Sequence, residues 1–263
     1  MSDIPLLAGI GAALLLGCEI LALAAVSDLR RMLFWSTLAE LGWVLVGLVV
    51  GDGIGATGAW MHLGLQLVMR TLVVLAAVEI VRANRSTRIA DLVGSVDRTP
   101  FASLMFGFGL FSVMGLSPFK GSFSKFVVLY AAIEAGFWPI AVIGTVASIV
   151  AAVYSILTIQ RICFERRSHG ILADRPIPFF ALRPAQAPMV VAALATVALS
   201  LDPAPVLALA ARLAGLAPGA VPDFETAWPL AVLVPYLGGF ALFVAGRFSP
   251  MLRAIGAVSL ALV

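Results

Sequence analysis

Long apolar runs alternate along the chain with short charged connections. The runs at 4–26, 33–50, 56–81, 100–135, 138–160, 185–201 and 228–246 reach or approach the about 20 apolar residues that cross a bilayer as a helix. This pattern predicts an all-α polytopic bundle of about seven transmembrane helices. It divides into a five-helix segment over 1–163, a basic loop over 164–183 and further membrane helices over 184–263. The fourth run is interrupted. Gly115, Ser117, Pro118 and Gly121 fall inside it, and proline has no N–H while glycine holds helical geometry weakly, so the helix is expected to break at 115–121. A shorter amphipathic stretch at 205–217 reads as an interfacial helix outside the membrane.

Charge adds an orientation. Arg30 and Arg31 lie in the first connection, Arg82, Arg85, Arg88 and Arg98 in the third, and Arg161, Arg166, Arg167, Arg175 and Arg183 in the fifth. The second and fourth connections, GDG at 51–53 and EAGFWP at 134–139, carry no Lys or Arg. The odd-numbered connections are therefore expected in the cytoplasm and the N-terminus outside. The N-terminal run has no positive leader and reads as the first membrane helix.

Composition agrees. The chain is 62% hydrophobic and 12% charged, with a mean hydropathy of +1.07, which excludes an ordinary soluble domain. The net charge of +3 is dispersed between spans and forms no nucleic-acid-binding surface. Cys18 and Cys163 have no metal-ligand spacing and read as buried thiols. GIGAA at 9–13 reads as small residues for close helix packing, not a phosphate loop. No cofactor or metal site is expected.

The candidate chemistry lies in ionisable groups at helix depth, where a charge costs about 2.5–3.5 kcal/mol and normally faces protein or a hydrated cavity. Glu19 and Glu40 lie at matched depth on consecutive antiparallel helices. They could share a proton, bind a cation, pair with a base or form a static contact. His62, Gln66 and Arg70 recur every fourth residue on one face of the third span, either organising water and protons or bonding neighbouring helices. Glu79 and Arg82 read as an interfacial pair. Lys120 and Lys125 flank the break, where exposed half-helix ends and charges create a polar centre. A lysine there can exchange protons, which arginine cannot.

Three stretches together resemble a family. DLRRMLFWSTLAELGWVLVGL at 28–48, MHLGLQLVMRTLVVLAAVEI at 61–80 and PFASLMFGFGLFSVMGLSPFKGSFSKFVVLYAAI at 100–133 look like segments of antiporter-like subunits. These are the proton-translocating membrane subunits of respiratory complex I (NADH-quinone oxidoreductase), membrane-bound hydrogenases and multisubunit cation/proton antiporters. The resemblance implies a five-helix repeat with a broken fourth helix over 1–163, and a second repeat supplied by another antiporter-like chain. It transfers most directly to Lys125 as the proton site of the broken helix. Gln66 and Arg70 depart from a titratable stripe, Glu40 stands where a neutral polar residue or histidine is common, and Lys120 is an added charge.

The implied function is a proton-translocating subunit of a redox-driven or cation-exchange complex in a bacterial inner membrane, with all redox chemistry in its partners. In this reading Lys125 switches, His62 and water connect it toward Arg70, and Glu19 and Glu40 form an acidic site. The alternatives are a non-conducting assembly subunit, or a transporter component for sodium or inorganic carbon.

Overall fold

The computed structural model describes residues 3–50, 53–115, 121–165 and 186–217. Ser117, Pro118 and Lys120, most of the 164–183 loop and the expected span at 228–246 lie outside the described residues. What is described is all-helical. The helices are α1 Ile4–Ala24, α2 Leu29–Val49, α3 Gly53–Asn84, the single turns α4 Ile89–Leu92 and α5 Ser95–Arg98, α6 Pro100–Met114, α7 Gly121–Glu134, α8 Trp138–Ile159, α9 Ala187–Leu201 and α10 Ala204–Leu213. A π-helical turn, Gln160–Phe164, extends α8.

Four of these elements, α1, α2, α3 and the extended α8, are long and apolar enough to cross a bilayer. The pair α9 and α10 meets the same test only when taken together. Helices α6 and α7 occupy the fourth predicted span. α6 ends at Gly115, whose φ of 80° is a left-handed conformation that a side chain disfavours, and α7 starts at Gly121. α6 thus ends at the first residue of the expected break, and residues 116–120 lie outside the described residues.

Two boundaries differ from the hydropathy pattern for a local reason. α2 begins four residues before its apolar run, because Asp28 accepts the Arg31 amide at 3.0 Å and caps a first turn that contains Arg30 and Arg31. α3 runs past its apolar stretch to Asn84, whose side chain bonds the Ile80 carbonyl, and stops at Arg85 with φ 53°. Glu79 accepts from Gln186 at 2.7 Å, so the expected contact with Arg82 gives way to one with the start of α9.

The first and third connections are tied together. The Leu29 amide donates to Thr87, the Ile89 amide donates to Ser27, and the Thr87 hydroxyl donates to Asp28 at 2.7 Å. The two arginine-bearing connections thus lie at the same end of the bundle. The helix expected at 205–217 is present as α10. It turns 84° from α9 and lies on α3, with Val206 beside Gly64 and Leu216 against Gly53.

α3 is the hub of the packing and contacts α2, α6, α7, α9 and α10. Helices in lipid gain little from apolar burial against one another, so close approach through small residues matters more. A Cβ on Gly42 would fall 2.7 Å from the Leu15 backbone, and one on Gly58 would fall 3.0 Å from the Val128 amide. These contacts draw α2 onto α1 and α7 onto α3. In the 9–13 segment Gly11 packs against Val46, whereas Gly9 faces open space. Trp43, Leu15, Val46, Val128 and Ala147 fill the apolar centre between α1, α2, α7 and α8.

Candidate functional site

Directly against that apolar centre lies a cluster of buried charges. Glu19, Glu40, His62, Arg70 and Lys125 are all at most 7% exposed, so water cannot screen them individually and their partners decide their cost. The Glu40 carboxylate on α2 is the centre. Its Oε2 accepts from His62 Nε2 at 2.8 Å, and its Oε1 accepts from Arg70 Nη2 at 2.8 Å. Lys125 Nζ on α7 stands 3.8 Å from the same Oε1. One acid therefore meets three bases from two helices.

Helical periodicity explains the convergence. His62 and Arg70 are eight residues apart on α3, so both reach one side of that helix and grip Glu40 from two levels. Gly58, one turn before His62, lets α7 approach and brings Ser124 Oγ to 3.0 Å from His62 Nδ1. The carboxylate is an acceptor only, so Nε2 carries hydrogen. Nδ1 then accepts from the Ser124 hydroxyl in neutral His62 and donates to its oxygen once protonated. The imidazole can take a proton without losing either hydrogen bond.

Arg70 is held further by Ser36, through both its hydroxyl and its carbonyl (2.9 Å), and by Thr37 at 3.3 Å. Ser36 precedes Glu40 by one turn and shares its face. Lys125 also lies over the Trp43 ring, 5.6 Å from its centroid, a cation–π contact. Gln66 occupies the same stripe but takes no part in the network: its amide nitrogen and oxygen are buried and bonded to no protein group. It lines a cavity of about 360 Å³ between α2 and α3, together with Thr37, Glu40, His62 and Arg70.

Glu19 is placed differently from the expected acidic pair. Its Oε2 accepts from the Tyr154 hydroxyl of α8 at 2.8 Å. Glu40 is bonded by His62 and Arg70, and Glu19 by Tyr154. The bases that hold Glu40 come from this chain. Ser36, Thr37, Trp43 and Tyr154 escaped the sequence reading. Ser36 and Trp43 could have been found at i−4 and i+3 from Glu40, and Tyr154 as a lone hydroxyl in an apolar span.

Among the described residues no cluster of His, Cys, Asp and Glu has the arrangement of a metal site. Cys18 and Cys163 are free thiols on separate helices, and the Cys163 thiol donates to the Ser103 carbonyl.

NADH-quinone oxidoreductase subunit N of Parvibaculum lavamentivorans is 31% identical over 151 residues, which cover 57% of this chain and 31% of that protein. Among solved structures, a chain of the membrane-bound sulfane sulfur reductase, an archaeal respiratory membrane complex, superposes with a TM-score of 0.73 at 22% identity. That match covers 81% of this chain and 42% of the other. A chain of respiratory complex I from Thermus thermophilus gives 0.69 at 21% identity, covering 81% and 45%. The chain thus spans less than half the length of the proteins it resembles. The family model described as NADH:quinone oxidoreductase/Mrp antiporter, TM, matches residues 4–151, which hold α1 to α7, most of α8 and every residue of the Glu40 cluster except Tyr154. The chain is a multi-pass membrane protein that belongs to this family.

Proposed function

We propose that the chain is a proton-translocating, antiporter-like subunit of a redox-driven or cation-exchange complex of the complex I or hydrogenase kind. It would sit in a bacterial inner membrane with its arginine-rich connections cytoplasmic and its N-terminus outside. Another antiporter-like chain would complete the path, and redox chemistry would belong to other subunits.

The observation that carries this reading is the single carboxylate bonded by His62 and Arg70 and faced by Lys125. Arg70 is a fixed charge that does not release a proton, so it neutralises Glu40 permanently. Lys125 and His62 are the members that can exchange one. At about 4 Å and an effective dielectric of about 20, a unit charge acts on its neighbour by on the order of 4 kcal/mol, far above thermal energy. A proton leaving Lys125 therefore turns the Glu40 field toward His62, which can accept at Nδ1. Coupling is electrostatic, and the cavity beside Gln66 has room for water that would be held at Glu40, His62, Gln66 and Arg70 on an otherwise apolar wall. In this mechanism Glu40 replaces the water link expected between His62 and Arg70.

A second reading, a non-conducting assembly subunit, is favoured by the unbonded Gln66 in the middle of the stripe. Proton flux through the assembled complex in proteoliposomes separates the two. Lys125→Ala and His62→Ala should each abolish coupled flux while assembly persists. Unchanged flux in both, with assembly intact, would overturn the proton mechanism. Sodium-dependent flux that survives both changes but is lost in Glu40→Gln would assign a cation route instead.

A further inference from the structure

At the arginine-rich end of the bundle the crevice between α2 and α3 opens into a polar pocket of about 660 Å³. Its lining includes Arg82, Arg85 and Arg88, with Ser86, Thr87 and Asp28. Three arginines outnumber the two carboxylates there: Asp28, committed to the Thr87 hydroxyl and the Arg31 amide, and Asp91, which accepts from Ser86 at 2.6 Å. The pocket is therefore electropositive. Arg85 is held at φ 53°, a left-handed conformation that costs a non-glycine residue strain, and it sits where the chain leaves α3 at the pocket rim.

Arg82 and Thr87 also line a second cavity, of about 540 Å³, which continues down the same crevice. Its walls are apolar: Leu33 and Phe34 from α2, and Val74, Ala77 and Val78 from α3. Phe34, Val74 and Val78 are 60%, 46% and 40% exposed, so the groove opens to the side of the bundle, where lipid would lie. From Arg82 to Val74 the groove descends eight residues, roughly 12 Å of helix, close to one leaflet of a hydrocarbon core of about 30 Å. A cationic head pocket and an apolar trough of leaflet depth share residues and face one direction.

We propose that this crevice binds an anionic phospholipid, with its phosphate among Arg82, Arg85 and Arg88 and an acyl chain along Leu33, Phe34, Val74 and Val78. Basic pockets between helices at the cytoplasmic face recognise such headgroups by charge and hydrogen bonding. Thr37 and Val74 also line the cavity beside Gln66, so the acyl chain ends next to the Glu40 cluster and closes its lateral opening. Binding does not depend on whether the chain conducts protons.

The test uses the full chain purified in a neutral detergent, titrated with phosphatidylglycerol or phosphatidylcholine of identical acyl chains, and read by native mass spectrometry. Wild type should retain phosphatidylglycerol at least about tenfold more strongly. Arg82→Ala/Arg85→Ala/Arg88→Ala should lose that preference, and Val78→Trp should weaken retention of both lipids with unchanged helical content. Equal retention of the two lipids by wild type, or a preference that survives the triple change, would overturn the proposal. Displacement of bound lipid by inorganic phosphate alone would also overturn it and assign a free-anion site.

Discussion

The hydrogen bonds around Tyr154 have a direction fixed by their ends. Arg70 can only donate, so Ser36 accepts from it; Glu19 Oε2 accepts, so Tyr154 donates to it. Arg70 cannot feed protons through Ser36, so its work is to hold Glu40. Tyr154→Phe keeps the ring and removes the donor, leaving a buried carboxyl short of a partner at a cost of about 1–3 kcal/mol. We expect lower thermal stability in lipid and reduced flux in the assembled complex. Unchanged stability and flux would show that Glu19 does not need the Tyr154 donor. The ionisable members were legible in the sequence because a charge in an apolar run has few bland explanations. Their pairings were not, because a hydroxyl in an apolar helix costs little and only the fold decides which acid it meets.

At the scale of elements, the start of α2 rests on one residue with two jobs. Asp28 caps the helix through the Arg31 amide and clips it to the third connection through Thr87. Partial burial raises its carboxyl, but hydrogen bonds from Thr87 and the Arg31 and Arg30 amides, with the Arg31 charge, outweigh this and hold it below the ordinary carboxylate value. A folded-state value below the unfolded one contributes stability above the unfolded value, about pH 4, and loses it as pH falls through the folded value. Asp28→Asn should therefore melt at lower temperature than wild type near neutral pH, and the gap should close progressively below about pH 4. A gap that stays constant down to pH 2 would mean the cap acts through shape alone. This clip also shows what hydropathy leaves out. Apolar runs located the spans and Gly115 the end of α6, but the first turn of α2 and the last of α3 are polar, and capping extends them. The 84° turn before α10 depends on Val206 and Leu216 meeting glycines of α3, a contact between segments about 140 to 160 residues apart that periodicity does not encode.

Across the whole bundle, five helices contribute to one balanced set of charges. Glu40 from α2 meets His62 and Arg70 from α3 and Lys125 from α7, and Glu19 from α1 accepts from Tyr154 of α8. With Glu19 and Lys125 both ionised, two acids stand against two bases and no charge is uncompensated, which spares the cluster the penalty that removing one partner of a buried pair incurs, about 3–5 kcal/mol. The balance belongs to the assembly of helices and to no single pair, so it predicts compensation between residues that share no hydrogen bond. Lys125→Met should destabilise the folded bundle by leaving one acid unmatched, and Glu19→Gln should do the same by leaving one base unmatched. The double change restores neutrality, so its loss should fall well short of the sum of the two. Thermal unfolding of the single and double variants in lipid vesicles measures this directly. Strict additivity would mean that Glu19 and Lys125 are separate sites, and the electrostatic coupling proposed for proton transfer would then have to stop at Glu40.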